Sequence, residues 1–332
     1  ITSLAPAADD ERNYHTLPLP AAASRELQQA IEDSPTSMVA ITPATMDEWR
    51  EEIARRQSIR AQLADELAKQ KNVAIEKANI AGVTVYHVTP PTIDPRLERA
   101  LFVYLHGGAY VYGGGPGNVF EAIMIAETIG IRAIAIDFRM PPDHPAPQAV
   151  EDVVAVFSAI IEDYAPSQVA LGGTSSGGGL TLATVHRLIE LELPVPAALY
   201  AGTPWADLTE TSDSLHVNRN VDRVLRNYDG LLQAGAKLYA GSMDLKDPLI
   251  SPVYGDFAGF PPAWIVTGTR DILLSDSARV HRKMRRAGVS ADLNVFEGMS
   301  HGGYLRSPDS PETEEVYAGL KGFLIEHLAN KQ

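Results

Sequence analysis

GGTSSGGG, the stretch at residues 172–179, stands between an apolar run, QVAL at 168–171, and a run that suits a helix, LTLATVHRL at 180–188. A strand, a sharp turn and a helix in this order are typical of the G-x-S-x-G nucleophile elbow, here with Ser175 between two glycines. The turn presents the serine Oγ at the N-terminus of the helix, where backbone N–H groups and the helix dipole stabilise negative charge. The alternative interpretation is an ordinary glycine-rich turn between a strand and a helix.

Apolar runs alternate with helical patterns on both sides of this turn. Continuous apolar runs are typical of strands covered on both faces, and a hairpin with a turn at Ala81-Gly82 precedes them. The predicted strands are 73–78, 83–88, 100–105, 132–137, 168–171, 197–202, 263–268 and 291–296, and the predicted helices are 119–129, 147–162, 180–188, 275–287 and 312–328. The pattern predicts an α/β fold with a mostly parallel central sheet flanked by helices.

The N-terminal part of the chain has a different pattern. Residues 1–23 are rich in Ala and Pro and indicate a loose arm, whereas 24–31 and 46–71 have helical periodicity. Thr45 and Glu48 resemble a capping box at the start of the second helix. The apolar stripe of that helix is predicted to consist of Trp49, Ile53, Ile59, Leu63 and Leu67.

Two segments are expected to form a helical cap over the sheet. The first is 1–70, which holds the arm and the N-terminal helices. The second is 203–248, an insertion of polar loops and helix-like pieces that interrupts the alternation of strands and helices. Residues 71–332 are predicted to form the α/β domain, with 203–248 contributing to the cap.

Composition limits the classes of partner and chemistry. The 28 Lys and Arg residues against 42 Asp and Glu give a net charge of −14, which argues against nucleic acid or an anionic membrane as the main partner. The chain has no cysteine, which excludes disulfides, thiol catalysis and thiolate metal sites. No apolar run approaches the roughly eighteen residues of a membrane span. The sequence begins with Ile1 rather than Met, so the removal of a secretory signal is one open explanation. We expect a soluble protein and favour the cytoplasm over secretion.

A nucleophilic serine needs a base, and the base needs a group that holds its tautomer. In sheet proteins with this elbow the order along the chain is Ser, acid, His. Asp271 follows the strand at 263–268 and His301 follows the strand at 291–296, so both are expected at the sheet edge that carries Ser175. Helix capping is the alternative role for Asp271, a polar loop residue is the alternative for His301, and Asp276 is a second candidate for the acid.

An oxyanion hole needs N–H donors aimed at the position of the developing negative charge. Gly107 and Gly108 follow the strand at 100–105, and without side chains their backbone N–H groups can approach a substrate closely. The third predicted donor is the N–H of Ser176, directly after the nucleophile. Interpreting the loop as a flexible turn leaves His106, which lies in an apolar context, unexplained.

These motifs together resemble the hormone-sensitive-lipase-like (bacterial family IV) carboxylesterases of the α/β-hydrolase fold, over roughly residues 70 to 330. FRMPPDHPAP at 138–147 is similar to the family's Y-R-L-A-P-E-H-P-F-P, and VED at 150–152 and PWADLT at 204–209 also match. Many members of the family have Asp before the nucleophile and Ala after it, whereas this chain has Thr174 and Ser176 at those positions. The sequence is therefore closer to a G-T-S-A-G-G subgroup. Ser176 adds a second hydroxyl at the elbow, but the G-x-S-x-G frame assigns the nucleophile to Ser175.

The resemblance implies a serine carboxylesterase that hydrolyses short- to medium-chain carboxylic esters through an acyl-enzyme. The implied triad is Ser175, Asp271 and His301, the oxyanion donors are Gly107, Gly108 and Ser176, and the aromatic residues expected near the substrate, or else in the core, are Tyr110, Tyr112 and Trp205. An amidase or lactonase with the same triad is the alternative, and a non-catalytic ligand-binding protein is disfavoured because His301 is present.

The sequence implies no cofactor and no metal. It contains no H-E-x-x-H motif or comparable ligand cluster. The spacing of Gly172 and Gly177 superficially resembles a P-loop, but residue 178 is Gly where a nucleotide-binding loop has Lys. The expected partner is therefore a small-molecule ester, and a homodimer is left open.

Overall fold

One mixed sheet organises the chain in the computed structural model, which describes residues 17–34 and 42–328. Within those residues the strands are β1 Ala74–Ile80, β2 Val83–Thr89, β3 Leu101–Leu105, β4 Arg132–Asp137, β5 Val169–Thr174, β6 Ala198–Gly202, β7 Ala263–Gly268 and β8 Ala291–Phe296. Their order in space is β1-β2-β4-β3-β5-β6-β7-β8. β2 pairs antiparallel with both β1 and β4, and every other pair is parallel. The predicted α/β fold with a mostly parallel sheet is confirmed.

Helices cover both faces of this sheet. The described helices are α1 Arg25–Asp33, α2 Met46–Lys71, α3 Phe120–Ile129, α4 Gln148–Ile160, α5 Ser176–Glu190, α6 Ser214–Val217, α7 Leu231–Ala240, α8 Leu274–Arg286 and α9 Pro311–Leu328. Successive residues of a strand point to opposite faces. In β3, Leu101, Val103 and Leu105 therefore pack with α4, α5 and α8, whereas Phe102 and Tyr104 pack with α3 and α9.

Helix α2 has the predicted bounds and the predicted capping box, since Thr45 and Glu48 each bond the backbone of the other. The predicted apolar stripe is wrong in part, because Ile59 and Leu63 are 50% and 49% exposed. The buried face instead carries Ala64 and Ala68 alongside Trp49. Ala64 and Ala68 pack in one apolar cluster with Val73 and Val119, and α2 also lies close to the turn at 115–119.

That close approach is visible at Gly117. A Cβ atom at this position would lie 2.7 Å from the carbonyl carbon of Arg60 and 2.8 Å from the amide nitrogen of Ala61, both on α2. Real Cβ contacts are not that short, so the helix backbone itself fills the space beside Gly117. The sequence pattern does not reveal the buried face of α2, because Ala64 and Ala68 give a weaker hydrophobic signal than Ile59 and Leu63.

The insertion at 203–248 contains α6 and α7. Leu231, Ala234 and Leu238 of α7 pack against the group formed by Trp49, Val111 and Tyr112, and so meet the N-terminal half of α2. The division into a cap and an α/β domain stays a prediction, and residues 1–16 of the predicted arm lie outside the described residues. No helix in the described ranges combines the length and apolarity that crossing a bilayer requires.

Candidate active site

Ser175 occupies the turn between β5 and α5 with φ 64° and ψ −125°. A positive φ is strained for a residue with a side chain and persists only where the surroundings enforce it. Crowding enforces it here, because a Cβ atom at Gly173 or at Gly177 would overlap the carbonyl oxygen of Leu105 at the end of β3. The Ser175 N–H also donates to the carbonyl oxygen of Gly202 at 2.7 Å. The glycine–serine pattern thus follows from the space that the turn leaves.

His301 lies between the predicted nucleophile and the predicted acid. Its Nε2 is 2.9 Å from the Ser175 Oγ, and its Nδ1 is 3.1 Å from the Asp271 Oδ1. Thr267 Oγ1 donates to Asp271 Oδ2 at 3.0 Å, and the Leu273 N–H donates to Oδ1 at 2.8 Å, so the carboxylate has a fixed orientation. The carboxyl ends of β5, β7 and β8 therefore bring together three residues separated by up to 126 positions.

The electrostatics of this group favour a proton on the imidazole. Burial by itself lowers the pKa of His301, but the charge of Asp271 and its hydrogen bond raise that pKa more, and Asp222 adds to the increase. The net pKa of His301 is therefore raised above the usual 6.5. A base with a raised pKa accepts a proton from the neighbouring hydroxyl more readily.

The predicted oxyanion loop lies against the elbow. A Cβ atom at Gly107 would be 2.7 Å from the carbonyl oxygen of Thr174 and 3.2 Å from the Ser175 Cβ, so the loop backbone is in direct contact with the turn. Gly108 has φ 138°, which favours glycine. Ser176 begins α5, and first-turn N–H groups of a helix have no acceptor within the helix. The Gly107 backbone therefore lies beside Ser175, and the role of Gly107, Gly108 and Ser176 as oxyanion donors stays a prediction.

His106 is buried and packs beneath this loop, on the side that faces the protein interior. Its ring stacks on Phe138 with centroids 4.2 Å apart, and its Nδ1 is 3.1 Å from the Gly107 carbonyl oxygen. Burial lowers the pKa of His106 to about 3, so the ring is neutral at physiological pH. The side chain thus acts as a neutral packing and hydrogen-bonding group beneath the predicted oxyanion loop.

The three aromatic residues predicted near the substrate are all buried. Tyr110 donates to the Trp205 carbonyl oxygen at 2.9 Å and stacks on Tyr239 of α7 with centroids 4.2 Å apart. Trp205 Nε1 donates to the Asp207 carbonyl oxygen at 3.0 Å. Tyr112 packs against α2, with the Arg56 guanidinium 4.3 Å from its ring centroid. These contacts join the loops to the insertion and to α2, and a contact with substrate stays a prediction.

Asp276, the second candidate for the acid, has a different set of partners. It is fully buried, accepts from the backbone N–H groups of Ala206 and Asp207 at 2.9 Å each, and accepts from the Ser212 hydroxyl. Burial raises the pKa of Asp276 to about 7. It neither bonds His301 nor caps α8, whose N-cap is Leu273. Asp276 anchors the segment at 206–212 to α8.

A further buried acid at the site, Asp222, is absent from the sequence-based prediction. Its Oδ2 accepts hydrogen bonds from the backbone N–H groups of Ile272 at 3.0 Å and of His301 at 3.4 Å. Burial raises the pKa of Asp222, and the charge of Asp271 raises it further. Asp222 was missed because it lies within a run of polar residues that has the composition of an exposed loop. Val221 before it, and Val224 and Leu225 shortly after it, are the apolar signals of burial in this segment.

Metal ligation has no visible basis in the described chain. Within residues 17–34 and 42–328, no group of three or more His, Asp or Glu side chains is arranged to hold a metal ion. The acidic side chains of the site bond N–H and hydroxyl donors instead, as Asp271 and Asp222 do. The expectation of a cofactor-free site stays a prediction.

Comparison with known proteins identifies the family of this chain and several relatives. Residues 102–305 match the sequence family described as the α/β hydrolase fold. The putative acetyl-hydrolase LipR of Mycobacterium tuberculosis (strain ATCC 25618 / H37Rv) is 32% identical over 281 residues, which is 84% of this chain and 89% of that protein. The crystal structure of the esterase E25 has a TM-score of 0.91 at 46% identity and covers 94% of this chain and 97% of its own. The crystal structure of an esterase from the bacterial hormone-sensitive lipase family has a TM-score of 0.81 at 30% identity and covers 93% of this chain and 100% of its own.

The pairing of His301 with Asp271 predicts a result for the Asp271→Asn variant. Removing the negative charge removes the largest influence that raises the pKa of His301, so this pKa should decrease. An NMR titration of the imidazole measures it directly, with a wild-type midpoint above 6.5. Asp276→Asn is the matched control and should leave the midpoint unchanged. An unchanged midpoint in Asp271→Asn would contradict the pairing.

The partners of Asp276 predict a loss of stability in the Asp276→Ala variant. Two backbone N–H groups and the Ser212 hydroxyl would lose their buried acceptor, and each unsatisfied donor costs about 1–3 kcal/mol. The free energy of unfolding in urea should therefore decrease by about 3 kcal/mol or more. Asp244→Ala makes the same chemical change at an exposed position and should have little effect. Equal unfolding midpoints for the two variants would disprove the anchoring role.

Proposed function

This chain belongs to the α/β-hydrolase fold family, and from that membership we propose that it is a serine carboxylesterase acting on short- to medium-chain esters. Its relatives include esterases and acetyl-hydrolases, which supports ester hydrolysis as the reaction. The observation that carries the mechanism is the pair of hydrogen bonds that connects Asp271, His301 and Ser175.

Acylation begins with the serine hydroxyl. His301 Nε2 accepts the Ser175 proton while the Oγ attacks the ester carbonyl carbon. Asp271 keeps the other imidazole nitrogen protonated and stabilises the positive charge that develops on the ring. The imidazolium then donates its Nε2 proton to the alkoxy oxygen, so the alcohol leaves and an acyl-enzyme remains.

The tetrahedral intermediate needs donors for its oxyanion. We assign this role to the N–H groups of Gly107, Gly108 and Ser176. Donors held in place by the backbone need no reorganisation during the reaction, which makes such sites effective. The crowding that fixes the Gly107 backbone against Thr174 supports this role.

Deacylation repeats the steps with water. His301, neutral again, removes a proton from a water molecule that attacks the acyl carbon. When the second tetrahedral intermediate collapses, the same imidazole returns the proton to the Ser175 Oγ and the carboxylic acid leaves. The cycle is complete without a cofactor.

Two adjacent hydroxyls make the identity of the nucleophile testable. Ser175→Ala should lower kcat by about 10⁴-fold or more, because within residues 17–34 and 42–328 Ser175 is the side chain that bonds His301 Nε2. Ser176→Ala keeps its backbone N–H and should cost less than about tenfold. Labelling the wild-type protein with a fluorophosphonate, followed by mass spectrometry, identifies the attacking residue. A label on Ser176 would reverse the assignment.

The composition of the cap predicts short acyl chains. An interfacial lid needs a broad apolar face, whereas the segment at 207–223 is crowded with charged and amide side chains and α2 exposes only scattered apolar residues among charged ones. With p-nitrophenyl esters, kcat/KM should peak at roughly two to eight acyl carbons and show no increase when the substrate becomes an emulsion. Efficient hydrolysis of emulsified long-chain triglyceride would identify a true lipase instead.

A further inference from the structure

A buried polar cluster lies directly beneath the elbow, in the layer between the sheet and α3. Glu121 of α3 is its only carboxyl group, and Tyr104, Thr174, Tyr200 and Tyr304 supply hydroxyls. All five side chains are 4% exposed or less. They come from four secondary-structure elements and the loop after β8, so the cluster connects distant parts of the chain.

The carboxyl group of Glu121 is the centre of the cluster. Its Oε1 accepts from Thr174 Oγ1 at 2.6 Å and from Tyr200 Oη at 3.0 Å, and its Oε2 accepts from Tyr104 Oη at 2.9 Å. A buried carboxyl group is costly unless donors surround it, and three hydroxyls do so here. Burial raises the pKa of Glu121.

Three of the hydroxyls also contact one another. Thr174 Oγ1 is 3.0 Å from Tyr200 Oη and 2.7 Å from Tyr304 Oη, and the two tyrosine oxygens are 2.8 Å apart. The space for this triangle depends on Gly202, where a Cβ atom would overlap the hydroxyls of Tyr200 and Tyr304. No bulkier residue at position 202 would leave the three oxygens in contact.

Two members of the triangle belong to the catalytic loops. Thr174 is the residue before Ser175, and Tyr304 lies three residues after His301 in the same loop. Their hydrogen bond therefore joins the nucleophile turn to the histidine loop from below, at a point remote from the substrate side. Tyr104, by contrast, is the penultimate residue of β3, and in the described part of the chain its hydroxyl bonds only the Glu121 carboxyl group.

We propose that Glu121 is a positioning residue, which acts through Thr174 and Tyr304 to hold Ser175 Oγ and His301 Nε2 at their 2.9 Å separation. This inference rests on the proposed esterase function for its kinetic consequences. Proton transfer depends steeply on the distance between these atoms, so loss of the link lowers kcat. KM changes little, because no member of the cluster reaches the substrate.

Tyr304→Phe and Tyr104→Phe form a matched pair that tests the proposal. Each removes one buried hydroxyl from the same cluster, so both should lower the urea midpoint by similar amounts. Only Tyr304→Phe breaks the link to the histidine loop, and it should lower kcat on p-nitrophenyl butyrate by about tenfold with KM within about twofold. Tyr104→Phe should retain kcat within about twofold. Equal values of kcat in the two variants would overturn the proposal.

Variants of Glu121 itself add a test of rescue. Glu121→Gln keeps an acceptor oxygen for Thr174 and Tyr200 and should retain kcat within about threefold, whereas Glu121→Leu should lower it by about tenfold or more. If the Glu121→Gln and Glu121→Leu variants had the same kcat, Glu121 would be a packing residue only.

A readout without substrate separates this inference from the proposed function. The imidazole resonances of His301 should shift or broaden in Tyr304→Phe and remain as in the wild type in Tyr104→Phe. Absence of esterase activity in the wild-type protein would contradict the proposed function and leave this comparison intact. Identical His301 spectra in both variants and the wild type would contradict the positioning role.

Discussion

The site depends on a steric constraint at the end of β3. The carbonyl oxygen of Leu105 lies so close to the elbow that only glycine fits at 173 and 177, and this contact holds Ser175 at a positive φ. The loop predicted to supply oxyanion donors is the direct continuation of β3, and its Gly107 lies against Thr174 and Ser175. The end of β3 therefore constrains both the turn that carries Ser175 and the start of this loop.

Burial of carboxyl groups is a second common feature of the site, and their partners separate their roles. Asp271 bonds an imidazole, Asp222 and Asp276 accept backbone N–H groups, and Glu121 accepts only hydroxyls. Burial alone would not distinguish these acids. What distinguishes Asp271 is its contact with His301, which follows from its place at the carboxyl end of β7.

Sequence reasoning succeeded where the signal is local. The bounds of α2 and its capping box follow from side chains within one turn, and the meeting of Ser175, Asp271 and His301 follows from strand order. It failed where tertiary contacts decide. The buried face of α2 is set by the elements that pack against it, and the partners of Glu121 and Asp222 come from elements far away along the chain. No local pattern marks such residues.

The bond between Thr174 and Glu121 has a consequence for how this sequence can diverge. An aspartate in place of Thr174 would put a second carboxyl group beside the first, where the hydroxyl now lies 2.6 Å away, and two neighbouring buried carboxylates repel. The substitutions that position 121 tolerates therefore depend on the residue at position 174, and the reverse holds as well. Before an acid can be acquired at position 174, the carboxyl group of Glu121 on α3 has to be lost. Otherwise the two carboxyl groups have to share a proton.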